Sequence, residues 1–136
     1  MPNRSAQSPT LSVALVTGAS DRIGAAIARA LARAGHAVII HYRGNAEGAR
    51  AVRDDIRANG GQADIVKADL ARRSQRAALV AKAAARFGPL TVLVNNASLF
   101  EPDSARDVDE TLWDQHFAIH AEAPIFLARD FAAQLP

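Results

Sequence analysis

A glycine-containing turn between an apolar strand and an alanine-rich helix constrains the fold of this chain more than any other feature. The turn Thr17–Gly24 follows the apolar run Val13–Val16 and precedes a helical pattern that ends near Ala34, before Gly35. A glycine just after the last helical turn is typical of a helix C-terminus. In such a strand–turn–helix, backbone N–H groups and the positive end of the helix dipole point at the same place. The segment therefore predicts a site for a phosphate or another anion.

Apolar strands and helices alternate along the chain up to residue 95. Strands that are apolar on both faces are typical of a parallel sheet with helices on both sides. Right-handed crossovers then give an α/β, Rossmann-type doubly wound sheet of strand order 3-2-1-4. Ligands bind such a sheet outside the carboxyl ends of the strands, where the order reverses between the first and the fourth. The predicted strands are Ser12–Thr17, Ala37–Tyr42, Ala63–Lys67 and Leu90–Asn95, and the predicted helices between them are Arg22–Ala34, Ala46–Ala58 and Ser74–Phe87.

The last third of the chain is predicted to be a loop, Ala97–Asp109, followed by one long helix, Glu110–Leu135. Pro124 lies inside that helix, where a proline removes a hydrogen bond, so we expect a kink and a free carbonyl group. His116 and His120 are four residues apart on the same helix. The glutamate of the zinc-protease signature does not follow the first of them, so no metal site is predicted there.

The residues after the second strand predict which dinucleotide binds. A carboxylate at this point would hold the ribose 2′-hydroxyl of NAD, but the chain has His41-Tyr42-Arg43 and no acid before Glu47. Arginine pairs well with phosphate oxygens. Arg43 and Arg22 are therefore candidate ligands of the 2′-phosphate of NADP(H). The alternative is that His41 and Arg43 are simply solvated loop residues.

The ends of the third and fourth strands supply the remaining candidates. Asp69 is placed to accept a hydrogen bond from the amino group of adenine, with Leu70 against the ring, although capping of the next helix is an equal alternative. The small and amide residues from Asn95 to Ser98 leave room for a ribose and a nicotinamide at the sheet edge. Phe100 is a candidate to stack on a flat heteroaromatic substrate. Ordinary loop packing is the alternative for this ring.

Composition argues against several other kinds of protein. The chain has 136 residues, no cysteine and a formal net charge of +2, which argues against disulfides, a thiolate metal site and a nucleic-acid surface. No apolar run is long enough to span a membrane, and residues 1–10 lack the apolar core of a signal peptide. We therefore expect a cytoplasmic protein with a flexible tail at residues 1–10 and one NADP(H)-binding domain at residues 11–136.

Three motifs, in this order and spacing, resemble the short-chain dehydrogenase/reductase family; they are Thr17-Gly18…Gly24, Asp69-Leu70 and Asn95-Asn96-Ala97. Further details are most similar to its pteridine reductase branch: an arginine at the middle glycine position, a His-Tyr basic loop, and an aromatic residue soon after Asn-Ala-Ser. The resemblance implies that Phe100 lies near a pterin-like ring and that His120 stands where the family has a proton-relay asparagine. It implies a cofactor-binding set of Gly18, Ser20, Arg22, Ile23, Gly24, His41, Tyr42, Arg43, Asp69, Leu70, Asn96, Ala97 and Ser98.

The resemblance also implies an NADPH-dependent reductase that transfers hydride to a carbonyl or a pterin-like C=N bond of a small molecule. The family's proton-donating Tyr-x-x-x-Lys pair is not in this chain, whose one tyrosine is Tyr42. The chain is thus expected to be the N-terminal portion of a longer, homo-oligomeric protein. The alternative is a truncated, non-catalytic module that binds a nucleotide or a partner.

Overall fold

A four-stranded parallel sheet forms the centre of the computed structural model, which describes residues 11–136. The strands lie in the order β3-β2-β1-β4, so the predicted order 3-2-1-4 is confirmed. The tail predicted at residues 1–10 lies outside the described residues. The strands are β1 Val13–Val16, β2 Ala37–Tyr42, β3 Ala63–Lys67 and β4 Val92–Val94.

Helices cover both faces of this sheet. Two apolar clusters form, because successive side chains of a strand point to opposite faces. Val13 and Leu15 of β1 belong to one cluster with the helices that follow β3 and β4, and Val16 belongs to the other with the helices that flank β2. The helices are α1 Arg22–Arg33, α2 Ala46–Ala58, α3 Arg73–Phe87, α4 Glu110–Phe117 and α5 Ala123–Ala133.

The single long helix expected at Glu110–Leu135 is interrupted, and this expectation was wrong in detail. A π-helical segment, Ala118–Glu122, separates α4 from α5. Pro124 has no N–H group, so it cannot close the α-helical bond to the carbonyl of His120. The turn before it widens instead, and the N–H group of Ala123 donates to the carbonyl oxygen of Ala118, five residues back. The expected kink therefore takes the form of a π-turn.

Candidate nucleotide-binding site

The turn between β1 and α1 lets the start of the helix pass very close to the backbone of the turn. Gly18 has a φ of +61°, in the left-handed region that glycine adopts without strain. Its N–H group donates to Nδ1 of His41 at 3.0 Å. At Gly24, a Cβ atom would lie 2.2 Å from the carbonyl oxygen of Gly18, so only glycine lets α1 pass this close to the turn. The cradle expected from the glycine spacing is present.

Helix α1 begins without a side-chain cap, since Asp21 at its N-cap makes no hydrogen bond to the first turn. The N–H groups of that turn are therefore free to bind an anion. Arg22, the first helical residue, has a φ of +48° and is exposed. Left-handed backbone costs a non-glycine residue about 1–2 kcal/mol, so the arginine holds a conformation that glycine would take more easily.

The loop after β4 is fastened to the same turn by hydrogen bonds. The hydroxyl oxygen of Thr17 accepts from the backbone N–H groups of Asn96 and Ala97, each at 3.0 Å. The side-chain amide of Asn96 donates back to the carbonyl oxygens of Thr17 at 3.2 Å and Gly18 at 3.0 Å. Sequence reasoning gave Thr17 no role of its own, although a hydroxyl at the end of a buried strand was the available signal.

His41 has a structural role that the sequence did not indicate. Its side chain is 2% exposed, and both ring nitrogens bond within the protein: Nδ1 accepts from Gly18 N–H, and Nε2 lies 2.8 Å from the carbonyl oxygen of Ala68. This pattern requires a neutral ring with its proton on Nε2. Burial also lowers the pKa of His41 below its ordinary value. The imidazole is thus not available as a charged phosphate ligand; it holds the glycine turn.

Arg43 and Asp69 lie side by side at the ends of β2 and β3. The guanidinium of Arg43 is 3.9 Å from the carboxylate of Asp69, and that of Arg72 is 3.6 Å from it. The Arg43 side chain is 65% exposed, so the pair is weak and the arginine is free to turn toward a ligand. The suggestion that Asp69 caps α3 was wrong, because Arg72 is the N-cap residue. Asp69 instead accepts from Ala71 N–H at 3.0 Å, within the preceding turn.

Phe100 lies in the loop that follows Ala97, and His120 lies beside this loop. The backbone N–H group of Leu99 donates to Nε2 of His120 at 2.9 Å, so the histidine of the π-turn holds this loop. The ring of Phe100 is 84% exposed. His116 has its ring centroid 5.9 Å from that of His120. Residues 11–136 contain no group of three or more side chains that would hold a metal.

These parts enclose a cleft of about 450 Å³ between the carboxyl ends of β1, β2 and β4. It lies where the strand order reverses, the usual ligand position in doubly wound sheets. Every predicted cofactor-binding residue except Asp69 lines it, whereas Phe100 and His120 do not. The lining also includes residues to which the sequence assigned no individual role: Asp21, Gly44, Asn45 and Leu99 within the predicted strand-end segments, and Ala68 and Ile119 outside them.

A doubly wound parallel sheet with a glycine cradle at its switch point defines a Rossmann-type nucleotide-binding domain. A sequence model of the short chain dehydrogenase family matches residues 12–136. The chain belongs to the short-chain dehydrogenase/reductase family of oxidoreductases. Within the part of the chain that the structure describes, no helix has both the length and the apolar character needed to cross a membrane.

Individual relatives support this assignment. An uncharacterised oxidoreductase of Methylorubrum extorquens is 44% identical over 108 residues, which are 79% of this chain and 44% of that protein. The structure of FolM alternative dihydrofolate reductase 1 from Brucella suis in complex with NADP has 42% identity and a TM-score of 0.86 over 92% of this chain and 52% of that one. A short chain dehydrogenase from Burkholderia cenocepacia in complex with NADP has 37% identity and a TM-score of 0.88 over 94% and 53%. The chain thus spans about half the length of the relatives it matches.

Proposed function

We propose that this chain forms the NADP(H)-binding portion of a reductase. The observation that carries the proposal is the charge at the edge of the cleft. Two exposed arginines, Arg22 and Arg43, lie there, and no carboxylate directly follows β2 to hold a ribose 2′-hydroxyl, since the first acid after it is Glu47. The structures from Brucella suis and Burkholderia cenocepacia, similar over nearly all of this chain, contain NADP.

The cleft fits a dinucleotide phosphate in two places. The uncapped N-terminus of α1 and the glycine cradle suit the pyrophosphate, since a Cβ at Gly24 would fill the space beside Gly18. The guanidinium groups of Arg22 and Arg43 suit the 2′-phosphate, with which arginine forms charge-assisted hydrogen bonds. His41 acts indirectly, because its neutral ring holds the Gly18 turn in the conformation that faces the pyrophosphate.

The remaining residues are assigned to the two ends of the cofactor. Asp69 and Leu70 would hold the adenine, and the small residues Asn96–Ser98 would lie along the nicotinamide ribose. When bound, the cofactor supplies a hydride to the substrate. Phe100, exposed beside this end of the cleft, would form one wall of the substrate site by stacking.

The substrate class that these features suit is a carbonyl or a pterin-like C=N bond on a flat ring. Two relatives support a flat-ring substrate by their names: a protein of Zymoseptoria tritici described as a probable tetrahydroxynaphthalene reductase is 37% identical over 118 residues, and the Brucella suis protein is described as an alternative dihydrofolate reductase. In the proposed reaction, a tyrosine outside these 136 residues would donate the proton, and the protein would act as a homo-oligomer in the cytoplasm.

Replacing Arg43 by alanine tests the cofactor assignment. A charged hydrogen bond contributes about 1.5–3 kcal/mol, so Arg43→Ala should weaken NADPH binding by roughly 10- to 100-fold and leave NADH binding nearly unchanged. Both affinities are measured by fluorescence titration of the polypeptide as its host produces it. Arg50→Ala serves as the control, because Arg50 is exposed and does not line the cleft. Equal losses for both dinucleotides would contradict the 2′-phosphate assignment.

A further inference from the structure

A buried arginine on α3, Arg76, has no task in the proposed function. Arg76 of α3 is 7% exposed, and its Nη1 lies 2.6 Å from Oε1 of Glu122. The same oxygen accepts from Nε of Arg73 at 2.7 Å. The guanidinium of Arg76 also lies 4.5 Å from the centre of the Phe126 ring. Burying a charge is unfavourable unless it is paired, so Glu122 holds a defined position between two cations.

Glu122 is the last residue of the π-helical segment Ala118–Glu122, which also carries His120. The N–H group of Leu99 donates to Nε2 of His120, and Leu99 belongs to the loop that follows Ala97 in the cleft. An unbroken series of contacts therefore runs from α3 through Glu122 and the π-turn to His120 and this loop.

Besides this anchor, few buried side chains fix the π-turn. Helix α4 contributes no buried residue, and within the π-helical segment only Ile119 is buried. The α-helical bond that would close this turn is missing at Pro124. A side chain joined to two guanidinium groups by short charge-assisted hydrogen bonds sets the rotation of the turn and thus the direction in which His120 points.

We propose that Glu122, held by Arg73 and Arg76, is a positioning residue: it places His120 so that the imidazole fixes the loop from Ala97 to Phe100 in the conformation that faces the cofactor. The effect on the cofactor rests on the function proposed above. The link from Glu122 to Leu99 does not, and it is tested separately.

Hydrogen exchange of the Leu99 amide reports this link directly. In the whole polypeptide as its host produces it, Glu122→Gln keeps the side-chain shape and removes the charge. We expect the Leu99 amide to exchange at least tenfold faster, while the Asn96 amide, bonded to Thr17, keeps its rate. Asp55→Asn is the matched control, since it neutralises an interhelical pair of similar length, Arg29–Asp55 at 2.8 Å, away from the loop. An unchanged Leu99 rate in Glu122→Gln overturns the proposal.

A double-mutant cycle with His120 separates positioning from a general loss of stability. In a His120→Ala background the Leu99 amide has already lost its acceptor, so Glu122→Gln should add nothing to its exchange rate. The same acceleration in both backgrounds would show that Glu122 does not act through His120 and would overturn the proposal. Where Glu122→Gln fails to fold, Arg73→Gln replaces it, because the exposed Arg73 is one of the two arginines that hold Glu122.

A third experiment tests the effect of Glu122 on cofactor binding by comparing two ligands in the same variants. Glu122→Gln should weaken NADPH binding several-fold but leave adenosine 2′,5′-bisphosphate binding unchanged, since that ligand lacks the nicotinamide end. An equal loss for both ligands would overturn a role confined to the nicotinamide loop. Failure of the wild-type protein to bind either ligand would refute the proposed function, and the exchange measurements would still decide whether Glu122 positions His120.

Discussion

Gly24 lies where α1 passes closest to the turn before it, and its replacement by alanine should disrupt the cleft. The added Cβ atom would lie 2.2 Å from the carbonyl oxygen of Gly18 and 2.5 Å from Nδ2 of Asn96. Ordinary contact between such atoms needs about 3.5 Å, so the helix and the turn must separate by roughly 1 Å. This separation would displace the carbonyl oxygen of Gly18, which accepts a hydrogen bond from the side-chain amide of Asn96 at 3.0 Å.

The expected magnitude follows from two contributions. Adding a methyl group to a close-packed site destabilises by about 1–3 kcal/mol. The amide of Asn96 would also turn away from Gly18 and Thr17, and each lost hydrogen bond adds about 1 kcal/mol. Gly24→Ala should therefore lower the free energy of unfolding by about 3–5 kcal/mol, a large part of the roughly 5–15 kcal/mol that stabilises an ordinary protein domain.

Urea unfolding followed by circular dichroism measures this change, with NADPH titration at low denaturant as a second readout. Gly44→Ala is the control for stability, because among residues 11–136 no atom outside the adjacent residues lies within 4 Å of a Cβ added at Gly44. Its free energy of unfolding should stay within about 0.5 kcal/mol of wild type. A loss below about 1 kcal/mol in Gly24→Ala would refute the reasoning, since it would mean that α1 does not approach the turn as closely as described.

Three further changes have defined outcomes. Thr17→Val removes the acceptor of two backbone N–H groups and should destabilise by about 2–4 kcal/mol in thermal unfolding; an unchanged midpoint would contradict this role of the hydroxyl. His41→Asn should flatten the pH dependence of stability. The folded ring, whose pKa is lowered, takes up a proton only at a lower pH than the unfolded histidine, which does so near pH 6.5. Wild-type stability should therefore decrease as the pH is lowered below about 6.5, by up to about 1.4 kcal/mol per pH unit, and urea unfolding over a series of pH values measures this slope in both proteins. Arg22→Gly should raise the unfolding free energy of the ligand-free protein by about 0.5–1 kcal/mol and weaken NADPH binding in the same titration; a loss of stability would contradict the strain at Arg22.

The sheet order could be predicted because it follows from short sequence patterns that repeat along the chain. The first strand, Val13–Val16, is apolar on both faces, and such a pattern suits a sheet covered on both sides. The glycine spacing from Gly18 to Gly24 then fixed which turn would carry the ligand. Strand order and switch point follow from handedness rules that hold for nearly every such fold, so no side-chain detail was needed.

The roles of individual polar residues could not be predicted in the same way. His41 looks basic and solvated in sequence, but its position on a buried strand turns both ring nitrogens inward, toward Gly18 and Ala68. Pro124 signals a disturbed helix, yet whether the chain kinks or widens into a π-turn depends on the packing of Ile119 and Glu122 against neighbouring elements. Such outcomes depend on contacts between residues far apart in sequence, which one sequence does not display.

The two ends of the cleft differ in rigidity, and this difference suits their proposed tasks. The Gly18 turn is bonded on one side to His41 and on the other to Asn96, so its backbone donors are already oriented before a ligand arrives. A preorganised site loses little conformational entropy on binding, which favours tight, nonselective recognition of the pyrophosphate that NADH and NADPH share. Arg43 is exposed and only loosely paired with Asp69, so it must be ordered by its ligand. Discrimination between the two dinucleotides therefore depends on whether the free energy gained at the 2′-phosphate exceeds the entropic cost of ordering Arg43. A substitution at this exposed residue should alter the cofactor preference without altering the fold.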